Sequence, residues 1–342
     1  MCMNRYSPAL AICDLPDDDE CTDPFAVSLV SSNCSTPLNL LHLFDLRQAS
    51  RDHQQTRRSY WPFKPAYKSE HGERKKPVNF TICVKPVHSN YSNVNQLVEF
   101  IEISRILGAE RFVIYVLSAT DVLESCLELY VQRRLVELVP WDLVPSDVVM
   151  WNQYLAMNDC IYRTMYTTKY QLTIDFDEVI FPFNANNWLD MLGSIEESIL
   201  AKNISIDRIT SYNFRNVFFP LQGPNDSTFA DNALVQRYQI NSLLKTSACN
   251  DIFPWKMRSK VIIRPERVTL CSGHMIRENA KLRKNDINFM VSANDALMFQ
   301  YREWSCRLDD KPRLRSHDFS DRIIARIGSS PCHLDRTSVV IS

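Results

Sequence analysis

Glycine is scarce, at 6 residues in 342. That shortage excludes collagen-like and glycine-rich low-complexity chains, and with them a phosphate site built on several glycines. No run of about 18 apolar residues occurs, so no membrane-spanning helix is predicted. The short apolar stretches at 25–30 and 38–46 do not make a signal peptide. The first follows the acidic run Asp17-Asp18-Asp19-Glu20, the wrong charge for the start of such a segment. An excess of either charge is lacking too. Lys and Arg number 39 against 40 Asp and Glu, a net charge of −1, so no overall positive field exists to hold nucleic acid by its phosphates. None of the 11 cysteines forms a C-x-x-C pair, which argues against a zinc ribbon or a thioredoxin-type motif.

What is present fits a soluble globular protein, 45% apolar and 23% charged. The odd cysteine count fits a few disulfides in a secretory compartment, and equally a set of buried thiols. N-x-Ser/Thr sequons at Asn33, Asn79, Asn90, Asn203 and Asn225 are compatible with secretory exposure. Residues 1–76 differ from the rest. They hold several prolines, four cysteines and a polar run at 47–58, with weak periodicity. They are read as a stem or partly disordered tail.

Regular patterning starts near Pro77. Residues 78–84 are β-branched and apolar, hence a strand. Residues 95–107 carry apolar side chains at helical spacing, with Gly108 as the stop. The pattern repeats with a strand at 111–117, a helix at 122–133, a strand at 135–139, a helix at 150–166 and a strand at 170–180. Such alternation with short connections predicts an α/β fold with a mostly parallel central sheet flanked by helices. Ligands on such sheets bind beyond the carboxyl ends of the strands.

The last of these strands runs into Asp175-Phe176-Asp177-Glu178-Val179-Ile180-Phe181-Pro182. On an extended strand, positions i and i+2 share a side. Two carboxylates so placed repel each other unless a cation sits nearby. Hard divalent ions such as Mn²⁺ or Mg²⁺ prefer oxygen ligands and leave positions open for phosphate oxygens. The motif therefore suggests a clamp on a diphosphate.

From Pro77 to about Trp304 the chain resembles glycosyltransferase family 92. The resemblance is carried by Leu97-Val98-Glu99-Phe100-Ile101-Glu102, Leu107-Gly108, Phe112-Val113-Ile114-Tyr115, Pro140-Trp141 and the stretch from Asn152 to Asn158-Asp159-Cys160. It continues through the Asp175–Pro182 block, Arg264-Pro265-Glu266-Arg267-Val268, Ser272-Gly273-His274 and Tyr301-Arg302. The resemblance implies a GT-A type fold over 77–310, with 311–342 as a C-terminal tail. It implies a Golgi or secretory-pathway membrane setting, although no anchor or signal peptide is visible. It also implies an inverting, metal-dependent transfer of a hexose, galactose foremost, from a UDP-sugar to a glycan or glycoprotein acceptor; animal members act on fucose in N-glycan cores.

By position, Asp175 and Asp177 would hold Mn²⁺ (or Mg²⁺), and Glu178 would support them or hydrogen-bond the donor sugar. Lys85, at the end of the first strand, would lie by the nucleotide, and His274 by phosphate or metal. An inverting transfer needs a general base, usually a carboxylate, and Asp231, Glu278 and Asp295 are the candidates. The chain departs from the family pattern in two places. Gln300 stands where the family usually has His before Tyr-Arg, and Val116 follows Tyr115 where an Asp is usual. Among the tryptophans at 141, 151, 188, 255 and 304, the proline-flanked Trp141 and Trp255 are the best candidates to stack on a sugar. Two other readings are kept: a haloacid-dehalogenase-type phosphatase with Asp175 as nucleophile, and a catalytically weak glycan-binding member of the same family.

Overall fold

The computed structural model describes residues 26–27, 41–42, 78–141, 152–280, 285–309 and 319–334. The chain divides into two compact units, Pro8–Lys76 and a larger one that includes Pro77–Ser342. Two short strands are described in the first, β1 (Ala26–Val27) and β2 (Leu41–His42), paired antiparallel. The rest of the expected stem lies outside the described residues, as do Trp151 and Asn33.

The larger unit is built on β3 (Val78–Val87), β4 (Arg111–Val116), β5 (Val136–Pro140) and β6 (Thr168–Thr173). They lie in the order β6-β3-β4-β5, all parallel. Beyond β6 the sheet continues with β10 (Lys260–Ile263), β8 (Ile209–Phe214) and β13 (Ile287–Met290). Strand β10 runs antiparallel to both its neighbours, and β13 is parallel to β8. The expected α/β class with a mostly parallel sheet is what the chain adopts.

Both faces of this sheet are covered, which is why its strands are continuously apolar. Side chains alternate along β3. Phe80, Ile82 and Val84 join the main core, while Cys83 joins a second cluster with Val113, Tyr115, Ala156 and Cys160. Helices α1 (Val94–Ile106) and α2 (Asp121–Gln132) supply residues to the main core, and α3 (Gln153–Thr164) lies across the other face. Helix α1 starts where the Asn93 side chain accepts the Gln96 N–H. It stops at Gly108, whose φ of +116° an L-residue rarely adopts.

The strand expected at 170–180 is in fact two. β6 ends at Thr173, and β7 (Glu178–Pro182) begins a separate three-stranded sheet. There β14 (Ala296–Arg302) runs antiparallel to β7 and parallel to β9 (Asn216–Pro220). The break is a tight turn closed by Glu178 N–H donating to the Asp175 carbonyl at 3.0 Å. At the turn the Phe176 ring packs on Phe100 and Tyr91 at centroid separations of 5.3 and 5.5 Å while the flanking acids face Lys85, Lys260 and Gln300.

Residues 319–334, within the segment read as a tail, hold α7 (Ser320–Gly328) and α8 (Pro331–Leu334). Ile323 and Ile327 of α7 are buried, because its apolar side meets α1. Cys332 forms a disulfide with Cys126 of α2. Two further disulfides join Cys83 to Cys160 and Cys249 to Cys306. Cys271 is buried and free.

Candidate active site

The acids converge at the joint between the two sheets, beyond the carboxyl end of β6. Asp175, Asp177 and Glu178 each offer an oxygen within 4.8 Å of the others. The geometry differs from a flat strand edge. Asp175 and Asp177 flank the turn, and Glu178 folds back so that its Oε2 accepts the Asp175 N–H at 2.8 Å. The cluster is open to solvent on one side, since the Asp175 side chain is 33% exposed.

Two ammonium groups face it. Lys85 Nζ, from β3, lies 2.6 Å from Asp175 Oδ2. Lys260 Nζ, at the start of β10, lies 2.6 Å from Glu178 Oε2 and 3.6 Å from Asp175 Oδ2, and its side chain is only 2% exposed. Burial raises the pKa of Asp175, but Lys260 and Lys85 outweigh it and hold the carboxyl at about 2. Asp177 is pushed the other way. Burial, Glu178 and Asp175 lift it to about 7 against the weaker pull of Gln300 and Lys260. Its Oδ2 accepts from Gln300 Nε2 at 3.1 Å, and its carbonyl accepts the Tyr301 N–H at 2.8 Å.

This donor set fits a hard divalent ion. All three converging groups are carboxylates, and burial together with the neighbouring Glu178 and Asp175 raises the pKa of Asp177, a charge surplus that a cation would relieve. Gln300, at the place where the family usually has His, turns its amide nitrogen to Asp177 and its oxygen to Asn216 Nδ2 at 3.2 Å. In that orientation it braces Asp177, and the group it turns toward that carboxylate is a donor, not a metal ligand.

The other expected site residues are spread out. His274, exposed in the β11–β12 hairpin (Val268–Ser272 and Met275–Asn279), sets its Nδ1 3.3 Å from the Ser259 carbonyl. Although its residue surface is exposed, partial desolvation of the ring first, and then the nearby Lys260, lower its pKa; it is not among the three converging acids. Asp231 is exposed in the turn before α5 (Ala233–Tyr238), and Glu278 is exposed on β12. Asp295 precedes β14, at the end of the β7–β14 ladder opposite Glu178. At about 3.3 Å per residue that is roughly 16 Å from the cluster.

The Asn158-Asp159-Cys160 motif has a scaffolding role. On a helix, three successive residues point in three directions about 100° apart. Asn158 therefore exchanges hydrogen bonds with the Cys271 backbone at 3.0 and 2.8 Å. Asp159 accepts from Tyr115 Oη at 2.5 Å and from Arg163, and Cys160 reaches Cys83. Arg264, of the Arg-Pro-Glu motif, pairs with Glu196 at 3.0 Å. Among the tryptophans, Trp188 is fully buried with its Nε1 donating to Ile180 O, Trp304 stacks on Phe218, and Trp141 packs edge-on against Tyr115. Trp255 is 40% exposed, with the Arg215 guanidinium 5.1 Å from its ring centre.

Lys260 is the site residue that the sequence did not reveal. A lone lysine opening a short apolar strand carries no motif, and only the antiparallel placement of β10 beside β6 brings it to the acids.

Comparison with known proteins adds three findings. The family model described as Glycosyltransferase family 92 matches residues 78–327. A Caenorhabditis elegans beta-1,4-galactosyltransferase, galt-1, is 28% identical over 106 residues, which are 30% of this chain and 25% of that protein. The chain thus spans about a quarter of that curated relative's length. Among solved structures, glucosyl-3-phosphoglycerate synthase of Mycobacterium tuberculosis, bound to Mn²⁺, uridine-diphosphate-glucose and phosphoglyceric acid, is 10% identical. That match covers 75% of this chain and 80% of the other, with a TM-score of 0.25. TarS of S. aureus is 12% identical over 43% of this chain and 23% of its own, with a TM-score of 0.26.

Proposed function

We infer that this chain, which belongs to glycosyltransferase family 92, transfers a hexose, galactose foremost, from a UDP-sugar to a glycan or glycoprotein acceptor. The observation that carries this reading is the convergence of Asp175, Asp177 and Glu178 within 4.8 Å, inside the matched region. The frame is the GT-A type fold expected of the family, with the acids beyond the carboxyl end of a parallel strand. The curated galactosyltransferase relative supports galactose as the hexose.

Asp175, Asp177 and Glu178 would hold Mn²⁺ or Mg²⁺. Bound there, such an ion supplies positive charge against the donor's diphosphate as the sugar departs. The chain's own residues set the stage. Gln300 orients Asp177, the Glu178–Asp175 N–H bond fixes the turn, and Lys260 pairs with Glu178 while favouring the charged form of Asp175. In an inverting transfer the acceptor hydroxyl gives its proton to a carboxylate. Asp231 and Glu278, both exposed, stay as proposed bases; Asp295 would have to act from the far end of the ladder.

Three disulfides among the described residues support a secretory setting. The sequons at Asn90, Asn203 and Asn225 are exposed and compatible with it. Among the described residues no helix is long and apolar enough to cross a membrane, and membrane association remains a family-based proposal.

Mn²⁺ titration by calorimetry tests the ligand assignment through its pH dependence. With Asp177 at about 7 in the free site, the ion has to displace a proton below that pH. Affinity should weaken about tenfold for each pH unit below 7, level off above it, and release about one proton per ion at pH 6. Affinity that ignores pH from 5 to 8 would remove Asp177 from the ligand set.

Trp255, exposed five residues before Lys260, is the proposed acceptor platform. Its replacement by alanine should raise the KM for a fucose-bearing N-glycan core about tenfold, the scale of one stacking interaction. The KM for the UDP-sugar should stay put. Equal changes in both constants would refute a specific acceptor role.

A further inference from the structure

Two lysines serve one carboxylate unequally. Lys260 is enclosed, and its shorter contact is to Glu178, with Asp175 a further ångström away. Lys85 makes the 2.6 Å contact to Asp175 Oδ2 yet is 18% exposed. It sits where the regular pairing of β3 with β4 breaks, between Val84 and Val87. Three carboxyls and two ammonium groups thus share the joint between the sheets.

A divalent ion reaching Asp175 would meet the Lys85 ammonium on the same oxygen. Like charges at that range repel strongly in a partly buried site. Lys260 has no solvent to retreat into, and leaving would strand Glu178 as a buried, unpaired charge. Lys85 can move, because a long side chain with an exposed flank can turn its head outward while its stem stays packed. The nearest anion it would then meet is the diphosphate that the ion brings with it.

We propose that Lys85 exchanges partners, holding Asp175 in the empty site and the donor's diphosphate in the loaded one. This rests on the metal–diphosphate reading above. It makes Lys85 a competitor of the ion and an ally of the nucleotide, two effects of opposite sign at one residue. A residue that merely supports the local structure would shift both affinities the same way.

The test is calorimetry on the full chain with Lys85→Met and Lys85→Gln, their folding checked by thermal melting. Mn²⁺ alone is titrated first, then UDP at saturating Mn²⁺. Both variants should bind Mn²⁺ about tenfold more tightly and UDP about tenfold more weakly, the scale of a single charge–charge interaction in each state. Lys85→Arg should recover UDP binding. If the wild type binds both ligands and the variants leave both affinities unchanged, or move them together, the exchange is overturned. If the wild type binds neither Mn²⁺ nor UDP, the metal–diphosphate reading itself falls, and the exchange with it.

Discussion

Asp177→Ala is expected to lower UDP-sugar turnover about a thousandfold or more, the scale of losing a group that holds charge against the transition state. Among the described residues Asp177 pairs with no ammonium group, whereas Asp175 and Glu178 are each within 2.6 Å of one. It is therefore the carboxylate with most to offer an incoming ion. The same substitution should not destabilise the fold. A carboxyl whose pKa rises to about 7 on folding stabilises the protein while protonated. That contribution fades as pH climbs past the unfolded value, and above 7 the ionised group is a net burden. At pH 8 the variant should melt at or above the wild-type temperature. Loss of activity together with loss of stability would instead mark Asp177 as structural.

Lys260→Met should be the most destabilising single change at the site. It leaves Glu178, 4% exposed, and Asp175 without their enclosed counter-charge. Removing one partner from a buried ion pair costs about 3–5 kcal/mol, because the remaining charge is stranded. Urea denaturation reads this as a lower midpoint with an unchanged slope. Saturating Mn²⁺ should restore part of the loss by binding to the native state alone. A variant as stable as the wild type would show that Lys260 is not the charge that holds the cluster together.

The strand–helix alternation from 78 to 164 was legible because each element buries apolar side chains at its own period, and the termini are marked by Asn93 and Gly108. Gly108 works as a stop because φ of +116° suits glycine. The split between Thr173 and Glu178 was not legible. The apolar run through Val179–Phe181 reads as more of the same strand, whereas the turn depends on the Glu178–Asp175 hydrogen bonds and on the packing of Phe176 against Phe100 of α1, which no local pattern announces. Asp175 and Asp177 still converge, so the motif was found for a reason that holds only in part: they meet across a turn, and Glu178 meets them there.

Lys260 was out of reach because its partners lie in a different part of the chain, and the register of β10 on β6, not any spacing, brings them together. The Asn158-Asp159-Cys160 motif was visible as a signature, but its work is bracing: one residue each for β11, Tyr115 and Cys83. The C-terminal helices were missed because Ile323 and Ile327 give a narrow apolar stripe in a charged segment. Cys332 offered no hint that its partner is Cys126.

The most direct test of the proposed chemistry is hydrolysis of UDP-galactose by the purified full chain, with Mn²⁺ and with the ion removed by EDTA. Release of UDP that needs Mn²⁺, and that Asp177→Ala abolishes, is the expected result. Release at the same rate in EDTA, or unchanged in Asp177→Ala, would contradict a carboxylate-held ion acting on the donor's diphosphate.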